Sequence, residues 1–549
     1  MSPLQMWGGI ECSVVRVGRS TRNQLRDTGH LHRTADIGLL AALGLRTVRY
    51  PVLWEMIEPR PGALDWRWTD RRLALLRKAG IEPVATLLHH GSGPKWTDLL
   101  DPDFPEKLAG FAARVAERYP WITRFTPVNE PFTTARFCGL YGHWHPHGRD
   151  EATCFRITVN ECRGIALAMQ AIRRLHPDAQ LVQTEDLGRI FATPEVQPQA
   201  DYENERRWLS LDLLTGRVSD RHPLHARLRD AGVSGQHLAE LVAAPCPPDI
   251  VGLDYYLTSD RVLDHRLVLH PNEPVGGNGR QSYVDIAAVR SAVPQDRSGL
   301  TQRLLEVWQR YRIPVAVTEM HNGCSRDEHL RWLMDGWKGA TAARAAGADV
   351  RAVTSWSLFG ACDWNSLMTR RDGHYECGAF DSRSKPPTPT IVATAISALV
   401  RHGRFDHPVL DGAGWWHQGA GIHPAARPLI LSGGSRLVTR LAGCCDRRRL
   451  RVLRTRKTSG LVGTMEKERA WVAVSLESGR PGKSKTRGIT CRFPDGSAVQ
   501  LHLPQPATEA DLDVLLDKVI DLSVQPRSSR SAGHAHRQTL PPSVGLEAG

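Results

Sequence analysis

RFTPVNEP, residues 124–131, is a short apolar run that ends in an amide and a carboxyl, Asn129 and Glu130, and then a proline. PVAVTEMHNG, residues 314–323, is built the same way around Glu319. Six further runs share the plan, so the expected strands are Met6–Cys12, Thr47–Trp54, Pro83–His89, Arg124–Asn129, Gln180–Thr184, Asp249–Tyr256, Pro314–Thr318 and Ala352–Leu358. Their chemistry-bearing residues, among them Glu55, His89-His90, Glu130, Tyr256, Glu319 and Trp356, fall at or just past the C-terminal end of a run. Parallel α/β sheets build their sites at that end.

Between these runs lie stretches such as 70–79, 105–119 and 326–346, where Leu, Ala and Phe recur at helical spacing. Asp103-Phe-Pro-Glu106 reads as a helix start, and Gly80 and Gly347 read as helix ends. Eight strand–helix units predict an α/β fold, a closed (β/α)8 TIM barrel over residues 1–425.

After Pro424 the character changes. Residues 427–549 carry 21 Lys and Arg against 11 Asp and Glu, +10 of the net +13, so the barrel is nearly neutral. A small α+β or poorly ordered basic region is expected at 426–525, and a disordered tail at 526–549. Within it, 427–455 has the outline of a strand, a glycine turn, a helix and a second strand. Gly479–Arg487 reads as a loop, Arg492–Pro504 as a hairpin about Asp495-Gly496, and Glu509–Leu522 as a helix. The run Arg436–Lys457, nine basic residues and one acidic, reads as a solvated helix face rather than a nucleic-acid surface.

No apolar run approaches the ~18 residues of a membrane span, and no secretory signal is evident. Eleven scattered cysteines read as reduced and buried, which predicts a cytoplasmic protein that meets neither membrane nor nucleic acid.

Retaining cleavage of a glycoside needs two carboxyls across the anomeric carbon, one a nucleophile and one an acid that later acts as base. Glu130 and Glu319 are candidates, because a barrel brings strand ends distant in sequence to one pocket.

The segments around them resemble glycoside hydrolase family 1, the retaining β-glycosidases, from Trp7 to about Ser397. TPVNEP matches the acid/base motif of that family. The resemblance makes Glu130 the acid/base and Asn129 the donor to the sugar 2-hydroxyl. VTEMHNG resembles the nucleophile motif and implies Glu319 for that role. VRYPVLWEMIEP places Arg49 beside the nucleophile, where it would lower the carboxyl pKa. DIVGLDYYLTSDR places Tyr256 against the nucleophile, with Asp254 where the family has Asn. LLHHGSGP puts His90 at the sugar 3-hydroxyl, with Gly91 and Ser92 replacing the family's Trp and Asp. SWSLFGACDW implies Trp356 as the sugar-stacking platform and Asp363 and Trp364 as sugar contacts. The first-strand Gln of the family has no counterpart, Val15-Arg16 standing at its place.

WGGIEC, RYPVLWE and VTEMHNG also resemble barrels that precede a dTDP-4-dehydrorhamnose reductase-like domain in bacterial fusion proteins. By that resemblance the region after 426 is a truncated or decayed Rossmann-type reductase. Of the dinucleotide glycines Gly433 survives, while Arg436 and Thr439 stand at the later positions, so no cofactor and no metal is expected. The reading is thus a retaining, β-glucosidase-like O-glycosidase acting on a small-molecule glycoside. The alternative is a sugar- or nucleotide-sugar-binding barrel associated with deoxysugar synthesis.

Overall fold

The computed structural model describes residues 3–293, 296–417, 421–457, 459–476 and 486–525. The chain divides into two units, one of residues 1–321 and 335–387, the other of residues 322–334 and 388–549.

The first unit holds a closed eight-stranded parallel barrel. Its strands are β1 (Gln5–Gly9), β2 (Thr47–Pro51), β3 (Glu82–Thr86), β4 (Arg124–Thr126), β5 (Gln180–Asp186), β6 (Ile250–Asp254), β7 (Val315–Glu319) and β8 (Val350–Ser355). The barrel closes where β1 pairs with β8 on one side and with β2 on the other. All eight expected strands are present and the TIM-barrel expectation holds. Trp7, Val84, Val182, Ile250, Ala316 and Ala352 form one buried cluster, one residue from each of six strands. Such inward layers fill a barrel and leave its C-terminal rim to carry chemistry.

Several strands end sooner than the apolar runs do. β4 stops at Thr126 because Pro127 has no N–H for the ladder. A four-stranded sheet built from Ile190–Ala192, Arg261–Asp264, Val275–Gly277 and Ser282–Ala287 lies outside the barrel and was not anticipated.

Among the outer helices, α1 (Arg67–Lys78) and α2 (Phe104–Arg118) bury Leu73 and Leu76, and Leu108, Phe111 and Val115, at three- and four-residue spacing. A five-residue helix, α3 (Pro131–Ala135), follows Glu130 directly and runs into a π-helical turn, Arg136–Leu140. The long α4 (Glu151–Leu175) is capped by Asp150, whose carboxylate accepts from the Thr153 N–H.

The second unit is ordered over its described residues. Strands β9 (Leu429–Ser432), β10 (Val452–Thr455) and β11 (Val472–Leu476) are parallel, and β12 (Thr486–Arg492) and β13 (Ala498–Pro504) extend the sheet antiparallel, in the order β10-β9-β11-β12-β13. Helices α5 (Arg436–Arg447), α6 (Leu461–Glu468) and α7 (Glu509–Ser523) complete it. The hairpin and the last helix thus stand where the sequence places them. Arg440 and Arg447 pair with Glu509, and Arg448 pairs with Asp327 and Asp517, so three of the nine basic residues of the run have carboxylate partners within the unit. Asp521 holds Arg326 and accepts from the Ile391 N–H. These ties join residues 326–331 and 391 to the second unit, so the division falls near residue 387 rather than 425. The tail at 526–549 and most of the Gly479–Arg487 loop lie outside the described residues, while Thr486 and Arg487 open β12.

Candidate active site

Glu319 closes β7 with its side chain almost fully buried. Arg49 from β2 donates through Nη1 to Glu319 Oε1 at 2.7 Å, and the Tyr256 hydroxyl donates to Oε2 at 2.5 Å. Burial raises the pKa of Glu319, and the Arg49 charge with the two hydrogen bonds opposes that rise. The expectation that Arg49 pulls the carboxyl down is met in direction, but burial outweighs it.

Glu130 sits differently. It occupies the left-handed region at φ 44°, ψ 63°, between the end of β4 and the start of α3. His90 and Asp363 also have positive φ, at 53° and 59°. Non-glycine residues held this way cost roughly 1–3 kcal/mol each and collect at functional sites. The Glu130 carboxyl receives no charged donor. Its Oε2 lies 3.3 Å from His90 Nε2, and its Oε1 is buried with no N–H or O–H partner among the described residues. Burial, then the charges of Asp254 and Glu319, push it well above the usual carboxyl range. Two carboxyls in one pocket are thus both raised by burial but differ in their partners, Glu319 alone holding donors that oppose the rise, which is the contrast that separates a base from an acid.

Asn129 is oriented by its neighbours. Its Oδ1 accepts from Arg49 and from Thr184 Oγ1 (2.8 Å), which turns Nδ2 toward His90 Nε2 at 3.4 Å. His90 Nδ1 pairs with Thr134 Oγ1 at 2.9 Å, and burial drops its pKa to about 3, so the ring is neutral. Trp356, 3% exposed, lies under the Arg49 guanidinium at 4.7 Å from the ring centroid. Gly9 permits this close approach, since a Cβ there would stand 2.2 Å from the indole. Trp364 closes the other side, with His90 and Trp144 rings at 5.8 and 6.1 Å.

Asp363 is engaged elsewhere. Its Oδ2 accepts from buried Arg22 at 2.6 Å, and its Oδ1 accepts from the His374 N–H at 2.9 Å. It borders a cavity of about 450 Å³ that Arg22, Arg371 and Arg383 also line. Arg371, from the loop after β8, is therefore part of a pocket wall.

The structure brings together Glu130, Glu319, Arg49, Asn129, Tyr256, His90, Trp356 and Trp364, and sets Asp363 at the edge. It adds residues that sequence reasoning did not assign. His89 stacks on Trp356 at 5.3 Å with both ring nitrogens buried. Glu11, raised to about 7 by burial, accepts from Ser13 N and Oγ. Glu55, raised to about 8 by burial, fills the space beside Gly91, where any Cβ would stand 2.0 Å from its Oε1. Glu185, at the end of β5, accepts from Phe132 N, Thr133 N and Ser210 Oγ at 2.8–3.0 Å and so pins the turn after Glu130. A strand-end carboxyl was the available signal for Glu185, the same one that marked Glu130. His143, His145 and His147 alternate along one loop; the rings of His145 and His147 lie 6.3 Å apart, but His147 bonds Gly18 and Gly142 while His145 faces Asp98.

A closed barrel with two strand-end carboxyls in contrasting environments, walled by aromatic rings, is the site of a glycoside-cleaving enzyme. The family model for glycosyl hydrolase family 1 matches residues 17–385, and the chain belongs to that family, the β-glucosidase-like retaining O-glycosidases. It is 28% identical over 383 residues to thermostable β-glucosidase B of Thermobispora bispora, spanning 61% of this chain and 73% of that one. It is 24% identical over 362 residues to a 6-phospho-β-glucosidase of Dickeya chrysanthemi, spanning 58% and 73%. The β-glucosidase from Thermotoga maritima in complex with deoxynojirimycin superposes with a TM-score of 0.59 at 17% identity, over 73% of this chain and 98% of that one, a likeness of fold.

Proposed function

We propose that Glu319 is the nucleophile and Glu130 the acid/base of a retaining β-glycosidase. The observation that carries this is the asymmetry of their partners: Glu319 holds an arginine and a tyrosine donor, whereas Glu130 holds neither. The carboxyl with an arginine and a tyrosine donor is the one favoured in its ionised form, and it attacks the anomeric carbon; the carboxyl that burial and its acidic neighbours keep protonated gives its proton to the leaving oxygen. Water then cleaves the glycosyl-enzyme ester, with Glu130 taking its proton. Arg49, Asn129 and Tyr256 support the pair. Trp356 stacks the sugar, and His90 and Trp364 contact its hydroxyls, while Asp363, held by Arg22 and the His374 N–H, borders the subsite. A panel of aryl β-glycosides tests the reading: the wild type hydrolyses at least one, and Glu319→Gln turns over none of them.

The arginine-lined cavity beside Asp363 favours a second reading of the substrate, a glycoside carrying an anionic group such as a phosphate. The panel therefore includes phosphorylated aryl glycosides. The parallel β9, β10 and β11 with α5 and α6 support the inference that residues 427–525 are a remnant of a doubly wound reductase-type domain. Arg436 and Thr439 at the later glycine positions argue against dinucleotide binding there. Eleven cysteines, nine of them buried, support a cytoplasmic location.

A further inference from the structure

The site holds a third carboxyl that the two-carboxyl mechanism does not use. Asp254 ends β6, is fully buried, and lies in hydrogen-bond contact with Glu130. Its Oδ1 accepts from Thr318 Oγ1 at 2.5 Å, and its Oδ2, like Glu130 Oε1, receives no N–H or O–H from any described residue. Two carboxyls in contact cannot both be acceptors, so a proton must stand between them.

The surrounding charges agree. The groups that face this pair are Arg49, Glu319, Tyr256, His90, Glu185 and Asp186. Arg49 is the cation among them, and it is committed to Glu319 at 2.7 Å while standing 3.8 Å from Asp254. His90 is neutral and Tyr256 donates to Glu319. Glu185 is held by the Phe132 and Thr133 N–H groups and Ser210, Asp186 by the Gly188 N–H and the charge of Arg136, and Glu319 by Arg49, which leaves Glu130 and Asp254 to share a proton.

We propose that Asp254 is a positioning residue that shares a single proton with Glu130, so that the acid/base of this enzyme is a coupled carboxyl pair. The inference rests on the roles given above to Glu130 and Glu319. In the first step the shared proton passes from Glu130 to the glycosidic oxygen. The Glu319–carbon bond forms, the carbon–oxygen bond to the leaving group breaks, and the pair is left doubly negative. In the second step water adds to the anomeric carbon, its proton returns to the pair, and the Glu319 ester bond breaks. Repulsion within the pair keeps Glu130 protonated to higher pH than a lone glutamate, and both pKa values belong to the pair. Burial and the charge of Glu319 hold Asp254 itself well above the ordinary aspartate range, in the same direction.

The test is the pH profile of kcat/KM for a hydrolysed aryl glycoside, in wild type and in Asp254→Asn. The amide keeps the shape and removes the shared charge. The expected result is an alkaline limb at least one pH unit lower in the variant, with activity at the acidic plateau within about tenfold of wild type. An unmoved alkaline limb in a folded variant overturns the proposal. Asp254→Ser gives the same test if the asparagine variant does not fold. Should neither fold, or should the wild type hydrolyse no substrate, wild-type protein labelled with ¹³C at its aspartate carboxyls is titrated before and after Glu130→Gln. The proposal requires an aspartate signal that titrates above the ordinary range and moves down when Glu130 is replaced. Absence of any such signal contradicts it, whatever the standing of the hydrolytic reading.

Discussion

Arg49 Nη1 donates to Glu319 Oε1 at 2.7 Å, with the arginine wholly buried and Trp356 packed on its guanidinium. This pair joins β2 to β7 across the barrel rim. It stabilises the one carboxylate the reaction needs in ionised form. Breaking a buried pair from one side leaves an unpaired charge, which costs about 3–5 kcal/mol. Arg49→Met is expected to lose that much in urea unfolding. Glu319 then rises further, and the acid limb of its kcat/KM profile moves to higher pH.

Tyr256→Phe removes only the second donor to Glu319. A hydrogen bond to a charged group contributes about 1.5–3 kcal/mol. The expected outcome is a fall in kcat/KM of roughly ten- to a hundredfold, with a smaller upward shift of the same acid limb. Steady-state kinetics across pH checks both.

Glu11 and Glu55 make stability depend on pH in the opposite sense to surface carboxylates. Their folded values, about 7 and about 8, lie above those of the unfolded chain. The native state therefore binds more protons, and stability falls as pH rises from about 4.5 through 8. For Glu55 the loss is up to roughly 4 kcal/mol at the alkaline end. Glu55→Gln is expected to narrow the difference between melting temperatures at pH 5 and pH 8.5.

Gly9→Ala places a methyl 2.2 Å from the Trp356 indole, which cannot yield because Arg49 and His89 pack its faces. The expected cost is about 1–3 kcal/mol by overpacking, together with weaker binding of an iminosugar measured by calorimetry.

Arg371→Ala separates the two substrate readings. It lies on the wall of the cavity beside Asp363, away from the reacting carboxyls. For a phosphorylated aryl glycoside the variant is expected to raise KM about tenfold with kcat little changed. For the neutral glycoside no change is expected.

Much of this site was legible because barrel chemistry collects at strand ends. Buried runs such as FTPV and VAVT announce their strands by composition, and the residue that follows each is where the rim begins. Glu130, Glu319, Asn129 and Tyr256 stand at such ends, whereas Arg49, in the middle of β2, was assigned through the family resemblance alone. What stayed hidden depends on close approach between loops. Glu55 and His89 stand out in the sequence as strand-end residues, but their surroundings do not: Glu55 packs where Gly91 leaves room, and His89 stacks on Trp356. No spacing in the sequence shows that Asp363 spends its carboxylate on Arg22, 341 residues away in the chain. The start of the second unit shows in its residues as strand, turn, helix and strand. That residues 322–334 belong with it was invisible, because what holds them there are ion pairs such as Arg448–Asp327 between distant segments.

The central claim is that Glu319 is the nucleophile and Glu130 its acid/base partner. Glu319→Gly, assayed on an activated aryl β-glycoside that the wild type cleaves, tests it most directly. The variant is expected to be inactive alone and to form the α-glycosyl azide when azide is added, because the small anion attacks the face that the lost carboxylate occupied. Retained hydrolysis without azide, or a β-glycosyl azide as the product, would contradict the assignment.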